Sequence, residues 1–228
     1  MFGPFFRTAV LVLQKDLIIE FRSREILYTT LFFAASCILV FAFSFVKEGR
    51  ALEDAAAGIL WISIAFAGTL ALGRTFERER QSETLRALML APADRPAIYA
   101  GKLAGLLVLM TAVELVLVPI VGLLFQAPVT TNVLPLGVLV LAGTLGYAAV
   151  GTLFAAMLVR ARSRDVLLPV LLYPVTVPVI IAGVRGTGAL FQSPADVATA
   201  WMWIGMLGAF DAVFLTLALW TFEPVMTD

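Results

Sequence analysis

The chain has 228 residues, of which 61% are apolar and 14% are charged, and its mean hydropathy is +0.98. Soluble domains rarely reach this hydropathy, so we expect lipid to surround most of the chain. The formal net charge is zero and gives no indication of a nucleic-acid partner. The sequence lacks histidine, the commonest general base and metal ligand, and its single cysteine, Cys37, excludes an internal disulfide. We therefore predict neither a catalytic residue nor a metal site.

Residues 1–25 predict a helix that lies in the membrane interface. Five apolar residues recur there at helical spacing, with charged residues on another face: Phe6, Val10, Leu13, Leu17 and Phe21. The alternative is a first membrane span that simply begins early. It is disfavoured because each charged residue at the centre of a span costs about 2.5 to 3.5 kcal/mol. No cleavage site follows, so we expect these residues to remain in the mature protein.

Six apolar stretches are long enough to cross a bilayer, which takes about 20 helical residues. Their approximate ranges are 26–46, 56–73, 103–125, 134–159, 166–184 and 201–222. Because apolar and polar residues do not alternate at period two, we predict an all-α membrane protein rather than a barrel. We treat residues 1–228 as a single transmembrane domain.

The distribution of lysine and arginine predicts that both termini face the cytoplasm. With both termini on one side, 13 of the 16 Lys and Arg residues fall on that side. The three on the other side are Lys47, Arg50 and Arg185. Cytoplasmic loops are enriched in these residues, so the asymmetry sets the orientation.

Two later spans have unusual compositions. The fourth is rich in glycine and alanine, which let helices approach closely, either inside the bundle or at a subunit contact. Pro169, Pro174 and Pro178 are expected to interrupt the fifth, either along a transport pathway or as a kink made for packing. We expect the following segment, 185–200, to re-enter the membrane in part.

Two acidic residues lie deep within apolar spans. Glu114 follows Lys102 by 12 residues, which is about 18 Å along a helix and near the middle of the membrane. Asp211 lies similarly far inside the sixth span. Intramembrane acids are costly, so both are candidates for a polar lining, a proton site or a contact to charged substrate. The alternative is a structural hydrogen bond to a neighbouring helix.

The most polar stretch joins the second and third spans, at 74–102. Leu85 and Leu88 recur at helical spacing among charged residues, which predicts a short amphipathic helix. A break follows, and Asp94 is a suitable N-cap for a new helix. A simple connection needs only a few residues, so we expect the amphipathic helix to dock on another protein or to rest on the lipid surface.

The sequence contains no P-loop for nucleotide binding. Around the only similar dipeptide, Gly101-Lys102, Pro96 stands where the earlier glycine should be and Leu103 where the hydroxyl should be. We therefore do not expect this chain to bind nucleotide through a P-loop.

Five segments together resemble one family of membrane permeases. They are KDLIIEFRSREIL (15–27), FAGTLALGRTFERERQSETLRALMLAPADRPAIYAGKL (66–103), ELVLVP (114–119), LLPVLLYPVTVP (167–178) and FDAVFLTLALWTFEPV (210–225). The family is the haem exporter protein B (CcmB) family, the permease of the cytochrome c maturation system. The resemblance covers nearly the whole length, and its most specific part is 77–102.

The resemblance implies an ABC-2-like exporter permease of the bacterial cytoplasmic (inner) membrane. The implied fold has six spans, an interfacial elbow helix at 1–25 and a cytoplasmic coupling helix within 74–102. ATP would be hydrolysed by a separate cytoplasmic ABC ATPase subunit, so this chain is not expected to be an enzyme. The matching positions that would contact this ATPase are Glu77, Arg78, Glu79, Glu83, Leu85 and Leu88.

The resemblance also implies partners and a cargo. The partners are a haem-handling membrane subunit, a haem chaperone, a second permease copy and membrane lipid. The cargo is haem, which either passes through the permease or leaves on a chaperone that the permease releases. Because the chain lacks histidine, any axial ligand that it supplies to haem iron must be Met, Tyr or Cys, and histidine ligands must belong to partners. Alternatives are an exporter of a lipid, drug or glycan, and a membrane scaffold that transports nothing.

Overall fold

The computed structural model describes residues 2–44, 46–47, 50–51, 55–81, 95–159, 161 and 163–227. Seven helices occur in these residues: α1 (Phe2–Ser23), α2 (Glu25–Ser44), α3 (Ala56–Gln81), α4 (Arg95–Phe125), α5 (Val133–Met157), α6 (Arg164–Phe191) and α7 (Val197–Thr227). Two short strands, β1 (Val46–Lys47) and β2 (Arg50–Ala51), pair antiparallel. Helices α2 to α7 are long and apolar enough to cross a membrane, so the all-α fold with six candidate spans is confirmed.

Helix α1 is separate from the first span, as predicted. Arg24 has a left-handed backbone conformation (φ 52°), which ends α1 and separates it from α2. Glu20 supports the break, since its side-chain oxygen accepts a 2.8 Å hydrogen bond from the backbone N–H of Leu27. Val12 of α1 is buried, whereas Phe6 and Phe21 of the predicted apolar stripe are 70% and 72% exposed. The ends of the stripe are thus exposed, whereas Val10, Leu13 and Leu17 are half-buried and Leu13 lies beside Gly105 of α4. The position of α1 in the membrane interface remains a prediction.

The expected break of the fifth span is wrong, while the alternative of a kink made for packing stays a prediction. Helix α6 continues through Pro169, Pro174 and Pro178 and ends only at Phe191. A proline removes one backbone hydrogen bond, but packing against neighbouring helices preserves the helical conformation in a membrane. Helix α6 packs against α3, α5 and α7, which explains why it remains continuous.

The expected re-entrant segment is likewise replaced by helix ends and a turn. Residues 185–191 belong to α6 and residues 197–200 to α7, with only 192–196 between them. Asp196 caps α7 by accepting hydrogen bonds from the backbone N–H and the hydroxyl of Thr199, at 3.0 and 2.6 Å. These bonds hold the pKa of the Asp196 carboxyl below its ordinary value.

Helix α5 lies inside the bundle, in contact with α3, α4, α6 and α7. Its glycines make this position possible: Gly143 lies under the indole ring of Trp61, and Gly151 lies under Leu72. Trp61 is 2% exposed and donates a 2.9 Å hydrogen bond from its ring N–H to the Thr187 hydroxyl of α6. Of the two roles predicted for the small residues, the structure therefore shows packing within the bundle.

Candidate functional site

Glu114 is buried near the middle of α4. Its side chain is 3% exposed, and its Oε1 accepts a hydrogen bond from the hydroxyl of Thr144 on α5. Its other oxygen, Oε2, has no hydrogen-bond partner among the described residues. One oxygen therefore has a structural bond to a neighbouring helix, while the second keeps the capacity to accept another.

Asp211 is buried where α7 meets α5. Its side chain is 6% exposed, and its Oδ1 lies against Gly146 and has no hydrogen-bond partner in the described part of the chain. Any larger residue in place of Gly146 would occupy the space of this carboxyl group. The glycine thus makes room for the acid between two closely packed helices.

The two acids lie at nearly the same depth but on different sides of α5. Their neighbours Thr144 and Gly146 are two residues apart, which is about 3 Å along a helix and about 200° around it. The body of α5 therefore separates the carboxyl groups. They do not form one shared site, but each places a carboxyl group inside the bundle.

The predicted ATPase-contact residues belong to the polar stretch at 74–102, which includes the end of α3 and the start of α4. Glu77, Arg78 and Glu79 lie on α3, which continues to Gln81 rather than ending near Gly73, and their side chains lie outside the described part of the structure. The other three, Glu83, Leu85 and Leu88, fall in 82–94, outside the described residues. The predicted second helix of this stretch begins at Arg95, the first residue of α4.

An ion pair links α1 to the start of α4. The Lys102 Nζ is 2.8 Å from Asp16 Oδ2, and the Lys102 side chain is 3% exposed. Lys15 lies 3.1 Å from the other Asp16 oxygen and is more exposed, at 31%. Gly101 permits this contact, because a side chain there would collide with the Ala9 carbonyl of α1. The buried ion pair thus fixes α1 on the third span.

Replacing Asp16 with asparagine is expected to lower the free energy of unfolding by about 2 kcal/mol, because the buried Lys102 ammonium loses the Asp16 carboxylate. This is less than the 3 to 5 kcal/mol of fully buried pairs, since the Asp16 side chain is 18% exposed. Lys15→Gln is the control and should cost less than about 1 kcal/mol. Thermal unfolding in detergent micelles measures both, and equal stability of the two variants would contradict the assigned role of the pair.

A groove of about 480 Å³ opens between α2 and α6, with α3 as its floor. Phe33 of α2, Phe66 of α3 and Tyr173 of α6 form its aromatic wall, with successive ring centroids 6.4 Å apart in edge-to-face contacts. Arg74 and Arg164 line the end near the helix termini. The groove is therefore apolar along one part and cationic at one end.

Hydroxyl groups connect this groove to the core of the bundle. The Thr69 Oγ1 lies 3.1 Å from the Tyr173 hydroxyl and 2.7 Å from the Tyr147 hydroxyl of α5. Tyr147 also donates a 2.7 Å hydrogen bond to the Ala65 carbonyl. A chain of hydrogen-bonded hydroxyl groups therefore runs from the groove to the buried face of α5.

Sequence reasoning did not identify this groove. Arg74 and Arg164 contributed only to the orientation, and Tyr173 stands among the prolines that were expected to interrupt the helix. The available signal was a tyrosine on the same helix as an arginine at its amino-terminal end. That signal is weak, since it does not indicate which neighbouring helices complete the groove.

The sequence profile of one protein family, described as CcmB protein, matches residues 7–226 of this chain. The chain is also similar to individual proteins named Heme exporter protein B. The one from Rhodobacter capsulatus is 30% identical over 173 residues, which cover 75% of this chain and 78% of the relative. The one from Haemophilus influenzae is 26% identical over 75% of this chain and 76% of the relative. The one from Pseudomonas aeruginosa is 24% identical over 80% of each chain.

Proposed function

Since the chain belongs to the CcmB family, we propose that it is the permease subunit of an ABC-type complex that exports or delivers haem for c-type cytochrome biogenesis. The resemblance noted in the sequence is thereby confirmed at the level of the family. The observation that carries the proposal is a six-span helical body matched along residues 7–226 by a family whose relatives are named for haem export.

In this proposal, a separate cytoplasmic ABC ATPase subunit supplies the energy. A haem-handling membrane subunit, a haem chaperone and a second permease copy complete the assembly. The protein spans the bacterial inner membrane several times with both termini in the cytoplasm. The distribution of lysine and arginine supports this orientation.

The helices on either side of the coupling segment support transmission of movement from the ATPase. Helix α3 extends from Arg74 to Gln81, about 10 Å beyond its apolar part, and α4 begins eight residues before Leu103. Both helices are continuous into the bundle. Because α4 contains Lys102 and Glu114, a displacement of its cytoplasmic end would reach both the α1 contact and the buried acid.

Deletion of the gene and complementation test the proposal. We expect the deletion strain to lose covalently attached haem in its c-type cytochromes, seen by haem staining of separated membrane proteins, and the wild-type gene to restore it. Normal haem attachment in the deletion strain would contradict the proposal. Export of another cargo, or a role as a scaffold without transport, would then be the better account.

Glu114→Gln and Asp211→Asn should each lower haem attachment several-fold without removing the protein from the membrane. Each substitution keeps the size of the side chain but removes its capacity to become a carboxylate at mid-depth. Haem staining measures the effect, and immunoblotting of membranes controls for the amount of protein. Thr144→Val, which removes only the hydrogen bond to Glu114, is the matched control and should have the smaller effect. Normal haem attachment in both acid variants would assign the two acids a structural role.

A further inference from the structure

We propose that the groove between α2 and α6 binds ferric haem, with Arg74 and Arg164 at the propionates and the Tyr173 phenol oxygen at the iron. This inference rests on the proposed function, since that function makes haem the cargo. It adds to that function a binding site on this chain, and it assigns the first contact with cargo to the cytoplasmic side.

The shape and surface of the groove suit a flat apolar ring. Its volume of about 480 Å³ lies within the roughly 300 to 1,000 Å³ of small-molecule sites. Phe33 and Phe66 remain 44% and 38% exposed, so their rings have free surface for an incoming ligand. Aromatic rings favour stacked or edge-to-face contacts with such a ligand.

The cationic end of the groove suits the two carboxylates at one edge of haem. Arg164 is 5% exposed, and Arg74 is exposed at the end of the apolar part of α3. Arginine binds carboxylates through two parallel hydrogen bonds, which a compact ammonium group cannot match. Both arginines already lie near exposed carboxylates, Glu25 at 3.8 Å and Asp165 at 3.5 Å. The Arg74–Glu25 pair is exposed and contributes little to stability. Asp165, which also lines the groove, is 86% exposed beside the buried Arg164, so the propionates can replace both carboxylates.

Among the described residues that line the groove, Tyr173 is the one whose side chain belongs to the types that ligate haem iron. It lies nine residues from Arg164 on α6, about 13 Å along the helix. The porphyrin ring and its propionates therefore have room between Tyr173 and Arg164. In the proposed step, the phenol oxygen binds ferric iron that arrives with a hydroxide ligand. The phenol proton passes to that hydroxide, which leaves as water, and no electron is transferred. The Thr69 hydroxyl, 3.1 Å from the phenol, orients it.

A second groove, between α1, α2 and α4, is similar in volume, at about 500 Å³, but less suited to a dianion. Asp16 and Glu20 line it together with Lys15, Arg24 and Lys102, and Asp16 is within 3.1 Å of both lysines. A propionate would therefore meet two carboxylates and compete for a buried ion pair, which is costly to disrupt.

Binding is tested with the full-length chain in lipid nanodiscs, titrated with ferric haem and, separately, with haem dimethyl ester. The ester keeps the ring and iron but lacks the two negative charges. We expect the wild type to show the visible charge-transfer band of tyrosinate-bound ferric haem. Tyr173→Phe should lose this band, and Tyr28→Phe, in the other groove, should keep it.

The arginines are tested by affinity. Arg74→Gln combined with Arg164→Gln should weaken haem binding by about tenfold or more, and the ester should bind equally to variant and wild type. Arg185→Gln, at the other end of α6, is the matched control and should bind haem as the wild type does. Arg164 also donates a hydrogen bond to the Gly73 carbonyl. Arg74→Gln alone, at an exposed site, therefore provides a weakened variant that folds.

Three results would each overturn the assignment. The first is equal wild-type affinity for haem and its ester, and the second is loss of the band in Tyr28→Phe rather than in Tyr173→Phe. The third is haem binding unchanged in all variants, as expected if a second copy of the chain covers the groove. Haem staining of complemented cells separates this failure from that of the proposed function. A wild type that binds no haem but restores c-type cytochromes overturns the groove assignment alone. Haem binding in the groove together with normal cytochromes in the deletion strain overturns the proposed function alone.

Discussion

Replacing Gly183 with alanine is expected to lower the free energy of unfolding by about 3 kcal/mol and to reduce the amount of folded protein in the membrane. An added methyl group would overlap the indole ring of Trp61. The ring cannot move aside, because Trp61 is 2% exposed and its ring also lies against Gly143 of α5. Its ring N–H is hydrogen-bonded to the Thr187 hydroxyl. Overfilling a close-packed core costs about 1 to 3 kcal/mol, and a fixed aromatic ring places this site at the upper end.

Two further variants make this prediction specific. Gly137→Ala, on α5, introduces the same methyl group where no atom lies within 4 Å, so stability should be unchanged or slightly increased. Trp61→Leu should partly restore Gly183→Ala, because the smaller side chain leaves space for the methyl group. Thermal unfolding in detergent micelles measures all three. A Gly183→Ala protein as stable as Gly137→Ala would contradict the packing of Trp61 between α5 and α6.

The Leu85→Asp/Leu88→Asp double variant is expected to lose the ATPase subunit and with it most haem attachment. Burying a leucine side chain contributes about 1.5 to 3 kcal/mol, so loss of two from an interface weakens binding by more than about 100-fold. The substitutions lie outside the six candidate spans, so the protein should still insert in the membrane. Co-purification of the ATPase and ATP turnover of the complex measure the effect.

The matched control adds negative charge to the opposite face of the same predicted helix. Ala87 is two residues from Leu85, about 200° around a helix, so Ala87→Asp tests charge without removing the apolar edge. It should keep the ATPase bound. Assembly and turnover of the double variant at wild-type levels would exclude docking through these leucines and favour a helix that rests on the lipid surface.

The sequence predicted the spanning helices well because length and hydropathy are sufficient to define them. It also placed the start of α4 correctly, since Asp94 and Pro96 form a helix start that is local in sequence. The prediction of a break at the prolines of α6 failed because it depends on contacts that are not local in sequence. The cost of each proline is local, whereas the packing that offsets it comes from α3, α5 and α7, which the sequence alone does not place.

For the candidate sites too, features that depend on position along one helix could be predicted, and features that depend on packing between helices could not. Glu114 and Asp211 are buried, in agreement with their positions along apolar helices, and their depth in the membrane stays a prediction. Their separation by α5 could not be predicted, since it depends on which face of each helix meets Thr144 and Gly146. The groove at Tyr173 was missed because its walls come from three helices that are distant in the sequence.

The central claim is that this chain works as the permease of an ABC-type complex for haem. Purification of the full-length protein from its native membrane, with identification of every co-purifying chain by mass spectrometry, tests it most directly. The account predicts a cytoplasmic chain with a P-loop together with a haem-handling membrane subunit, both reduced by Leu85→Asp/Leu88→Asp relative to Ala87→Asp. Recovery of the protein without any nucleotide-binding chain would contradict the account.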